Sequence, residues 1–554
     1  MTGALNPQPT VLDRVRDLLL LSVVSALCFC WRMGHLPFID PDEPFYALTS
    51  REMLEAREWI VPLIFGHPQF EKPPMVYWGM ITSMKAFGVT EAAARLPMAV
   101  AAIALVFAVY AFGVRHFGRH AGIAAALVLA TGVEFMVTSR LVLTDTIFAL
   151  FTSLSCFAFW NGATNESRRR IWWLVAMVCS GLAVVTKGPL GMLVPGLAAL
   201  VAVLNNRAPR RLDWVTLAIG GVLFAAVAFP WYALMTQRFG TDYLRTFLVH
   251  ENFERLMRAE HRENDTFYYY LLVLVVGSLP WLPAVAAAVA RARSEMRRDG
   301  TTVFLWGWLV ANVAFFMVAH SKLPTYILFS FVPLALLAGR AIAAQHQDEP
   351  GLARTVKISA ISVAVVQAIA FAIAANVPML APLRVPIAGI AALLSIGVVL
   401  LWLGHWRAWA ASTLAASLVL LVGLLTVGTP FIESRVSTRD AAAVVLANRK
   451  PGEALLAERF LVRGLTYYSR QTPDVLAGSP RPYFSPHPLP IIVGPEGLAN
   501  FIKQHPSTLC LIETRAWKRF AAGVSPGDSV TRLLEGDKSL FRIESASSRQ
   551  SRTP

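Results

Sequence analysis

The stretch LPMAVAAIALVFAVYAFGV, which runs from Leu96 to Val114, carries no charged side chain. As a helix it is long enough to cross a hydrocarbon core of roughly 30 Å. Comparable runs occupy Trp214 to Leu234, Ile358 to Val377 and Ala408 to Gly428, and 55% of the 554 residues are hydrophobic. Part of this chain is therefore expected to be surrounded by lipid. The pattern predicts an α-helical polytopic membrane protein.

About thirteen membrane spans follow from the apolar runs. They are expected to begin near residues 17, 92, 120, 142, 171, 189, 214, 268, 302, 325, 355, 385 and 408. With the amino terminus in the cytoplasm, the short arginine-rich connectors fall on the inner side, as is usual in membrane proteins. The run Met75 to Gly88 is short and contains Lys85, so we predict an interfacial helix there instead of a span.

The formal charge of +15 raises the question of a nucleic-acid partner. Many of the arginines lie in connectors between apolar runs, for example at 168–170, where they act as orientation signals. We therefore expect membrane lipids and no nucleic acid as partners, and a multi-pass location in a bacterial inner membrane. The first apolar run, Leu18 to Trp31, has no small-residue cleavage site behind it and is expected to be retained.

Two long connectors and the tail reach the periplasmic face in this topology. The connectors cover residues 34–91 and 235–267 of a predicted transmembrane domain, 1–432, and residues 433–554 form a predicted soluble periplasmic α/β domain. The domain is inferred from short apolar stretches that alternate with helix-like stretches at 441–448 and 497–504. The apolar stretches are Ala454 to Leu456, Ile491 to Val493 and Leu509 to Ile512.

Acidic residues stand beside prolines in the first periplasmic connector. Its two segments read Asp40-Pro41-Asp42-Glu43-Pro44-Phe45-Tyr46 and Phe70-Glu71-Lys72-Pro73-Pro74. Because proline fixes φ and biases the preceding residue away from helix, these segments hold carboxylates still at a membrane surface. The alternative is that Asp42 only caps a helix from Phe45 to Arg57, but several acids in succession exceed what one cap requires.

Three further polar residues lie at periplasmic ends of spans. Asp145 opens the fourth span, Lys187 closes the fifth, and Lys322 stands in a short hairpin before Tyr326. The alternatives are a helix cap for Asp145 and snorkelling for the two lysines. All of them are placed where a substrate at the membrane surface can reach them.

The second long connector supplies a base and a histidine. Arg255 has Glu251 four residues before it, a spacing that also suits a simple ion pair on one helix. A histidine near the membrane, such as His261, is more often a surface group than a metal ligand. No cofactor is assigned, and a divalent metal ion is left open.

Charged residues from distant parts of the sequence share one side of the predicted membrane. The acids are Asp42, Glu43, Glu71 and Asp145, and the bases are Lys72, Lys187, Arg255 and Lys322. Polar groups near a bilayer are costly unless they line a cavity or bind a ligand. A cavity with both signs of charge suits a substrate that is anionic at one end and polar at the other, such as a sugar on a lipid phosphate.

These elements resemble the polytopic glycosyltransferases related to protein O-mannosyltransferases, and among them the aminoarabinose transferases that modify lipid A. The matching segments, in order over about residues 38–335, are Asp40 to Pro44, Phe70 to Pro74, Leu143 to Asp145, Thr186 to Pro189, Glu251-Asn252 with Arg255, Gly277 to Trp281, and Ser321 to Tyr326. Each segment is short, and the ordered set is what makes the resemblance specific. It implies a GT-C type fold with a soluble outer domain and a polyprenyl-phosphate-linked sugar as donor.

The resemblance also implies roles for individual residues. The catalytic residues would be Asp42, as principal acid or base, with Glu71 and Asp145. The lipid phosphate would be bound by Lys72, Lys187 and Arg255, because cations stabilise the negative charge that its departure leaves. The substrate would be positioned by Glu43, Tyr46, His261, Lys322 and Tyr326.

The function that we expect is transfer of 4-amino-4-deoxy-L-arabinose from undecaprenyl phosphate to a lipid A phosphate. A hydroxyl acceptor needs a base, whereas a phosphate acceptor is already anionic and mainly needs orientation. Asp42 can thus be a base or a partner for the sugar ammonium. One alternative is a protein O-mannosyltransferase-like enzyme that uses a polyprenyl-phosphate sugar. Another is a lipid-linked sugar transporter or flippase, which usually has internal repeats and mid-membrane charges that this sequence does not show.

Overall fold

Helices account for most of the chain. The computed structural model describes residues 10–204, 213–254, 264–344, 383–480 and 489–546, with six single positions between 358 and 376. Up to residue 204 the helices are α1 (Val11–Ser25), α2 (Asp42–Ala56), α3 (Met75–Phe87), α4 (Glu91–Phe117), α5 (Arg119–Thr131), α6 (Val133–Thr138), α7 (Asp145–Thr164), α8 (Arg169–Lys187) and α9 (Leu190–Leu204). They are followed by α10 (Trp214–Leu244), α11 (Tyr269–Gly277), α12 (Leu282–Arg298), α13 (Gly300–Val318), α14 (Phe331–Ala343), α15 (Arg384–Trp402) and α16 (Trp406–Gly423).

Eight helical segments of the described chain are long and apolar enough to cross a membrane. They are Glu91–Phe117, Asp145–Thr164, Arg169–Lys187, Trp214–Val249, Gly300–Val318, Pro324–Ala343, Arg384–Trp402 and Trp406–Gly428. The helices α5 and α9 are apolar but shorter. A polytopic α-helical membrane protein is thus confirmed, whereas the count of about thirteen spans stays a prediction. The span expected from residue 355 lies largely outside the described residues.

Contacts divide the chain into two compact units. The membrane unit comprises residues 1–33 and 96–426, and the loop–tail unit comprises residues 34–95 and 427–554. The first long connector therefore packs with the tail, a grouping that the sequence analysis does not include. The pattern of either segment alone reveals no contact between parts of the chain that are hundreds of residues apart. The predicted boundary at residue 432 stays a prediction.

Two helix breaks meet inside the membrane unit. Gly132 separates α5 from α6, and a non-helical turn separates α11 from α12. The Val133 N–H donates to the Leu279 carbonyl oxygen at 3.0 Å, and Trp281 Nε1 donates to Thr131 Oγ1 at 2.9 Å. Backbone groups freed by a break are tolerated at membrane depth only where other protein groups satisfy them. Polar groups at each break thus form hydrogen bonds with polar groups at the other.

The loop–tail unit contains the sheet. Its tail helices are α17 (Thr429–Val436), α18 (Arg439–Asn448), α19 (Val462–Ser469), α20 (Gly494–Gln504) and α21 (Trp517–Phe520). Its strands are β1 (Leu63–Ile64), β2 (His67–Pro68), β3 (Ala454–Glu458), β4 (Asp474–Ala477), β5 (Ile491–Val493), β6 (Ser507–Glu513), β7 (Ser529–Leu534) and β8 (Lys538–Glu544). β1 and β2 form a hairpin, and the other six form one sheet in the order β5-β4-β3-β6-β8-β7. The first four of these strands are parallel to one another. β8 pairs antiparallel with both of its neighbours, β6 and β7.

Apolar side chains cover both faces of this sheet. Leu455 of β3 belongs to the cluster with α18 and α19, and its neighbour Leu456 belongs to the cluster with α20 on the other face. Side chains alternate between faces along a strand, so a strand covered on both sides reads as a continuous apolar run. The three apolar stretches of the tail are indeed β3, β5 and β6, and the predicted α/β domain is confirmed.

Candidate active site

Asp42 is the first residue of α2. Pro41 occupies the N-cap position, so Asp42 is not a cap for a helix that begins at Phe45. A carboxylate in the first turn interacts favourably with the helix dipole. Asp42 is exposed and makes no hydrogen bond or ion pair with any residue that the structure describes. Its carboxylate is therefore held by the backbone and remains accessible to a ligand.

Its neighbour Glu43 is buried and fully engaged. Arg95 donates from Nε to Glu43 Oε1 at 2.9 Å and from Nη2 to Oε2 at 2.7 Å, and each side chain of the pair is 2% exposed. Arg95 also donates to the carbonyl oxygens of Leu36 and Pro37. Bidentate geometry of this kind combines charge with directional hydrogen bonds. It fastens the segment that precedes α2 and so fixes where Asp42 lies.

The second acidic segment packs beside α2. The ring centroids of Tyr46 and Tyr77 are 6.1 Å apart. The Tyr77 hydroxyl accepts a hydrogen bond from Gln69 Nε2 at 2.8 Å, and the Glu71 N–H donates to Gln69 Oε1 at 2.8 Å. Glu71 is buried and Lys72 is half-buried. This chain of contacts places Tyr46 and Glu71, predicted from separate motifs, in one part of the loop–tail unit.

The tail also contributes to the segment around Asp42. Arg463 of α19 lies 4.6 Å over the Phe45 ring and donates a long hydrogen bond of 3.5 Å to the Pro41 carbonyl oxygen. Arg51 of α2 donates to the Tyr467 carbonyl oxygen at 2.6 Å. No pattern in the sequence marks these residues as part of a site. A single arginine in a tail that already reads as a folded domain carries no signal of contact with a distant loop.

In the membrane unit, Asp145 and Lys187 form an ion pair. Lys187 Nζ lies 2.5 Å from Asp145 Oδ1, and both side chains are largely buried. Thr144 occupies the N-cap of α7, so the Asp145 carboxylate pairs with the lysine and does not cap the helix. Lys187 Nζ is also 4.8 Å from the centroid of the Tyr326 ring, within cation–π range. Three predicted site residues are therefore in direct contact.

Lys322 is paired with an acid that the sequence analysis misses. Its side chain is 3% exposed, and Nζ donates to Asp265 Oδ1 at 2.8 Å and to the Thr266 carbonyl oxygen at 3.2 Å. His320 Nδ1 lies 2.8 Å from Asp265 Oδ2. Hydrogen bonds from Lys322 and, to a smaller extent, from His320 lower the pKa of Asp265. Lys322 is thus buried in an ion pair and does not snorkel.

The predicted site residues fall into two groups, one in each unit. The loop–tail unit contains Asp42, Glu43, Tyr46, Glu71 and Lys72, and the membrane unit contains Asp145, Lys187, Lys322 and Tyr326. Arg255 and His261 lie outside the described residues. A common pocket for both groups stays a prediction. Within the described ranges, no group of three His, Cys, Asp or Glu side chains is arranged to hold a metal ion, and the question of a metal stays open.

Sequence comparison relates the chain to enzymes that use lipid-linked sugars. Residues 71–234 match the family described as dolichyl-phosphate-mannose-protein mannosyltransferase. Two relatives named undecaprenyl phosphate-alpha-4-amino-4-deoxy-L-arabinose arabinosyl transferase, from Sodalis glossinidius and Pseudomonas aeruginosa, are 32% and 34% identical over 329 and 307 residues. The alignments cover 58% and 54% of this chain and 59% and 55% of the relatives. The chain thus spans a little over half the length of these relatives.

Structural comparison extends the likeness to nearly the whole chain. The crystal structure of ArnT from Cupriavidus metallidurans bound to undecaprenyl phosphate matches with a TM-score of 0.76 at 22% identity, covering 96% of this chain and 98% of that chain. The chain has the fold of ArnT. The predicted GT-C type fold and the resemblance to the polytopic glycosyltransferases are confirmed.

Proposed function

We propose that the protein is a membrane glycosyltransferase. In this proposal it moves 4-amino-4-deoxy-L-arabinose from undecaprenyl phosphate to a lipid A phosphate at the periplasmic face of a bacterial inner membrane. The observation that carries the proposal is the exposed Asp42 carboxylate, held without a partner among the described residues and beside a buried Glu43–Arg95 pair. The names of the relatives and the fold of ArnT support the donor and the sugar.

The donor phosphate is bound by basic residues in this proposal. Lys72, Lys187 and Arg255 provide the cations, and the leaving polyprenyl phosphate gains negative charge that cations stabilise in the transition state. Lys187 is suited to this role because Asp145 and the Tyr326 ring hold its ammonium in a fixed position. Positioning reduces the entropy that must be lost before the transition state forms.

Asp42 acts on the sugar or on the acceptor. A lipid A phosphate is already a nucleophile, so it needs no strong base, and Asp42 then orients it or pairs with the sugar ammonium. Glu71 assists Asp42 at the reacting centre, and Tyr46 and Tyr326 contact the substrate. Glu43, whose two oxygens are bonded to Arg95, works through the placement of Asp42.

A second candidate is an enzyme that glycosylates protein hydroxyl groups. The match of residues 71–234 to the mannosyltransferase family favours it. A serine or threonine hydroxyl must lose a proton to attack, so Asp42 would then be a general base. In that case Asp42→Asn abolishes transfer, whereas a phosphate acceptor leaves measurable transfer in the variant.

Reconstitution tests the proposed function. The full-length protein is placed in lipid vesicles with lipid A and the undecaprenyl-phosphate aminosugar, and the lipid A is analysed by mass spectrometry. The expected product is lipid A with one added aminopentose per modified phosphate, and Lys72→Ala should reduce its rate of formation. Absence of product with the active donor, or equal rates with an acceptor peptide, would contradict the proposal.

A further inference from the structure

Asp40, two residues before Asp42, presents a buried carboxyl group that the proposed reaction does not use. The residue as a whole is half-buried, but both carboxyl oxygens are inaccessible to solvent. A methyl group on Gly464 of α19 would overlap Asp40 Oδ1 and Thr438 Oγ1. The carboxyl group therefore occupies the space that a glycine leaves open in the tail.

The walls of this pocket contain few charges. Thr438 approaches the carboxyl group without the geometry of a hydrogen bond. On β8, Lys538 Nζ donates to the carbonyl oxygens of Ser434 and Ser437 at 3.0 and 2.7 Å, and it makes no ion pair with Asp40. The pocket thus offers the carboxyl group space and polar neighbours, and no counter-ion among the residues that the structure describes is in contact with it.

Burial raises the pKa of Asp40 to about 8. The hydroxyl and N–H of Thr438, whose dipoles lie beside the carboxyl group, and the charge of Lys538 oppose this change in pKa, and the nearby charge of Glu43 adds to it. On α19 the charged neighbour of the pocket is Arg463, which bonds to Pro41. Near neutral pH Asp40 is therefore mainly protonated, as is usual for an acid that is desolvated without an ion-pair partner.

The backbone ties Asp40 to the same part of the tail. Its N–H donates to the Val436 carbonyl oxygen at 2.7 Å, and the carbonyl oxygen of Pro41 faces Arg463. Asp40 and Pro41 therefore meet two short stretches of the tail, residues 436–438 and 463–464. Only Pro41 separates this anchor from Asp42, so a shift of Asp40 moves the start of α2.

We propose that Asp40 is a positioning residue for glycosyl transfer, whose buried carboxyl group seats the segment carrying Asp42 in the pocket beside Thr438, Gly464 and Lys538. This inference rests on the proposed role of Asp42. It gives the tail a part in the reaction without any contact between the tail and the sugar. It also requires an uncharged group at position 40, because no described residue forms an ion pair with the carboxyl group.

Two substitutions in the full-length protein separate shape from charge. Asp40→Asn keeps the size and neutrality of the group, and kcat at pH 7 should stay within about twofold of the parent. Asp40→Ala empties the pocket, and kcat should fall on the order of 10- to 100-fold while the donor KM changes by less than about twofold. Above about pH 8 the parent should lose activity relative to Asp40→Asn. The matched control is Thr508→Val, which removes a buried hydroxyl group elsewhere in the tail. It should change neither kcat nor the donor KM.

Amide hydrogen exchange of residues 38–44 provides a readout that needs no sugar donor. Asp40→Ala should speed exchange there, and Thr508→Val should not. Gly464→Ala, whose added methyl group pushes into Asp40, should reproduce the loss of kcat if Asp40→Ala folds poorly. Equal damage by Asn and Ala, unchanged kcat in both Asp40→Ala and Gly464→Ala, or unchanged exchange would overturn the proposal. If the parent transfers no aminoarabinose, the proposed function fails, and the exchange experiment still decides the role of Asp40.

Discussion

Replacing Arg95 by Met should destabilise the loop–tail unit strongly. The substitution keeps most of the side-chain volume and removes the donors that hold Glu43, Leu36 and Pro37. It leaves the Glu43 carboxylate buried without its cation. Breaking a buried ion pair at one partner typically costs about 3–5 kcal/mol. For a unit of this size that corresponds to a decrease in Tm on the order of 6–20 °C.

Thermal unfolding of the full-length protein in detergent measures this effect. Glu43→Gln with Arg95→Met should cost less than the two single changes added together, because no buried charge is then left unpaired. Arg470→Met is the matched control in the same unit. Its partner Glu55 lies 3.1 Å away with both side chains exposed, so the loss should be about 0–1 kcal/mol. A Tm for Arg95→Met no lower than that for Arg470→Met would refute the reasoning.

Five other variants test the candidate site and the neighbouring Asp40. Asp42→Asn should reduce transfer to lipid A on the order of 10²-fold, the cost of a misplaced substrate, with an unchanged Tm, and full activity in the lipid A assay would remove Asp42 from the reaction. Lys72→Ala should weaken undecaprenyl phosphate binding roughly 10- to 100-fold, as measured by titration in detergent; unchanged affinity would show that another base holds the phosphate. Lys187→Met should weaken the same binding while Asp145→Asn preserves or strengthens it, and equal weakening by both would argue against Lys187 as the phosphate ligand. Because burial raises the pKa of Asp40 above that of an unfolded acid, stability should fall as pH rises from about 4 to 8, by up to about 1.4 kcal/mol per pH unit. Asp40→Asn should flatten that dependence in pH-resolved unfolding curves, and an unchanged slope would contradict it.

The fold class could be predicted because it depends on local pattern. Uncharged runs such as 96–114 have the length of a membrane span, and strands covered on both faces, such as β3, read as short apolar runs. The number of membrane spans is harder to predict than the fold class. A helix of 13 residues such as α5 falls below the length that identifies a span, and a break such as Gly132 divides one apolar run into two helices.

The site could be predicted only in part. Asp42, Asp145 and Lys187 stand in motifs with prolines or at the ends of apolar runs, and this pattern predicts that they lie near a membrane surface. The ion-pair partners of the site residues could not be predicted from the sequence. The pairing of Lys322 with Asp265, and of Glu43 with Arg95, joins residues 57 and 52 positions apart, and no local pattern reports such a contact.

In the proposed reaction, the Asp145–Lys187 pair has a consequence for turnover. A polyprenyl phosphate that binds Lys187 must compete with a carboxylate already 2.5 Å away. The competition lowers affinity for the incoming donor, but it acts equally on the spent carrier once the sugar has left. Competition from the Asp145 carboxylate therefore favours release of the used lipid. The ion pair that then re-forms has no net charge before the next donor binds.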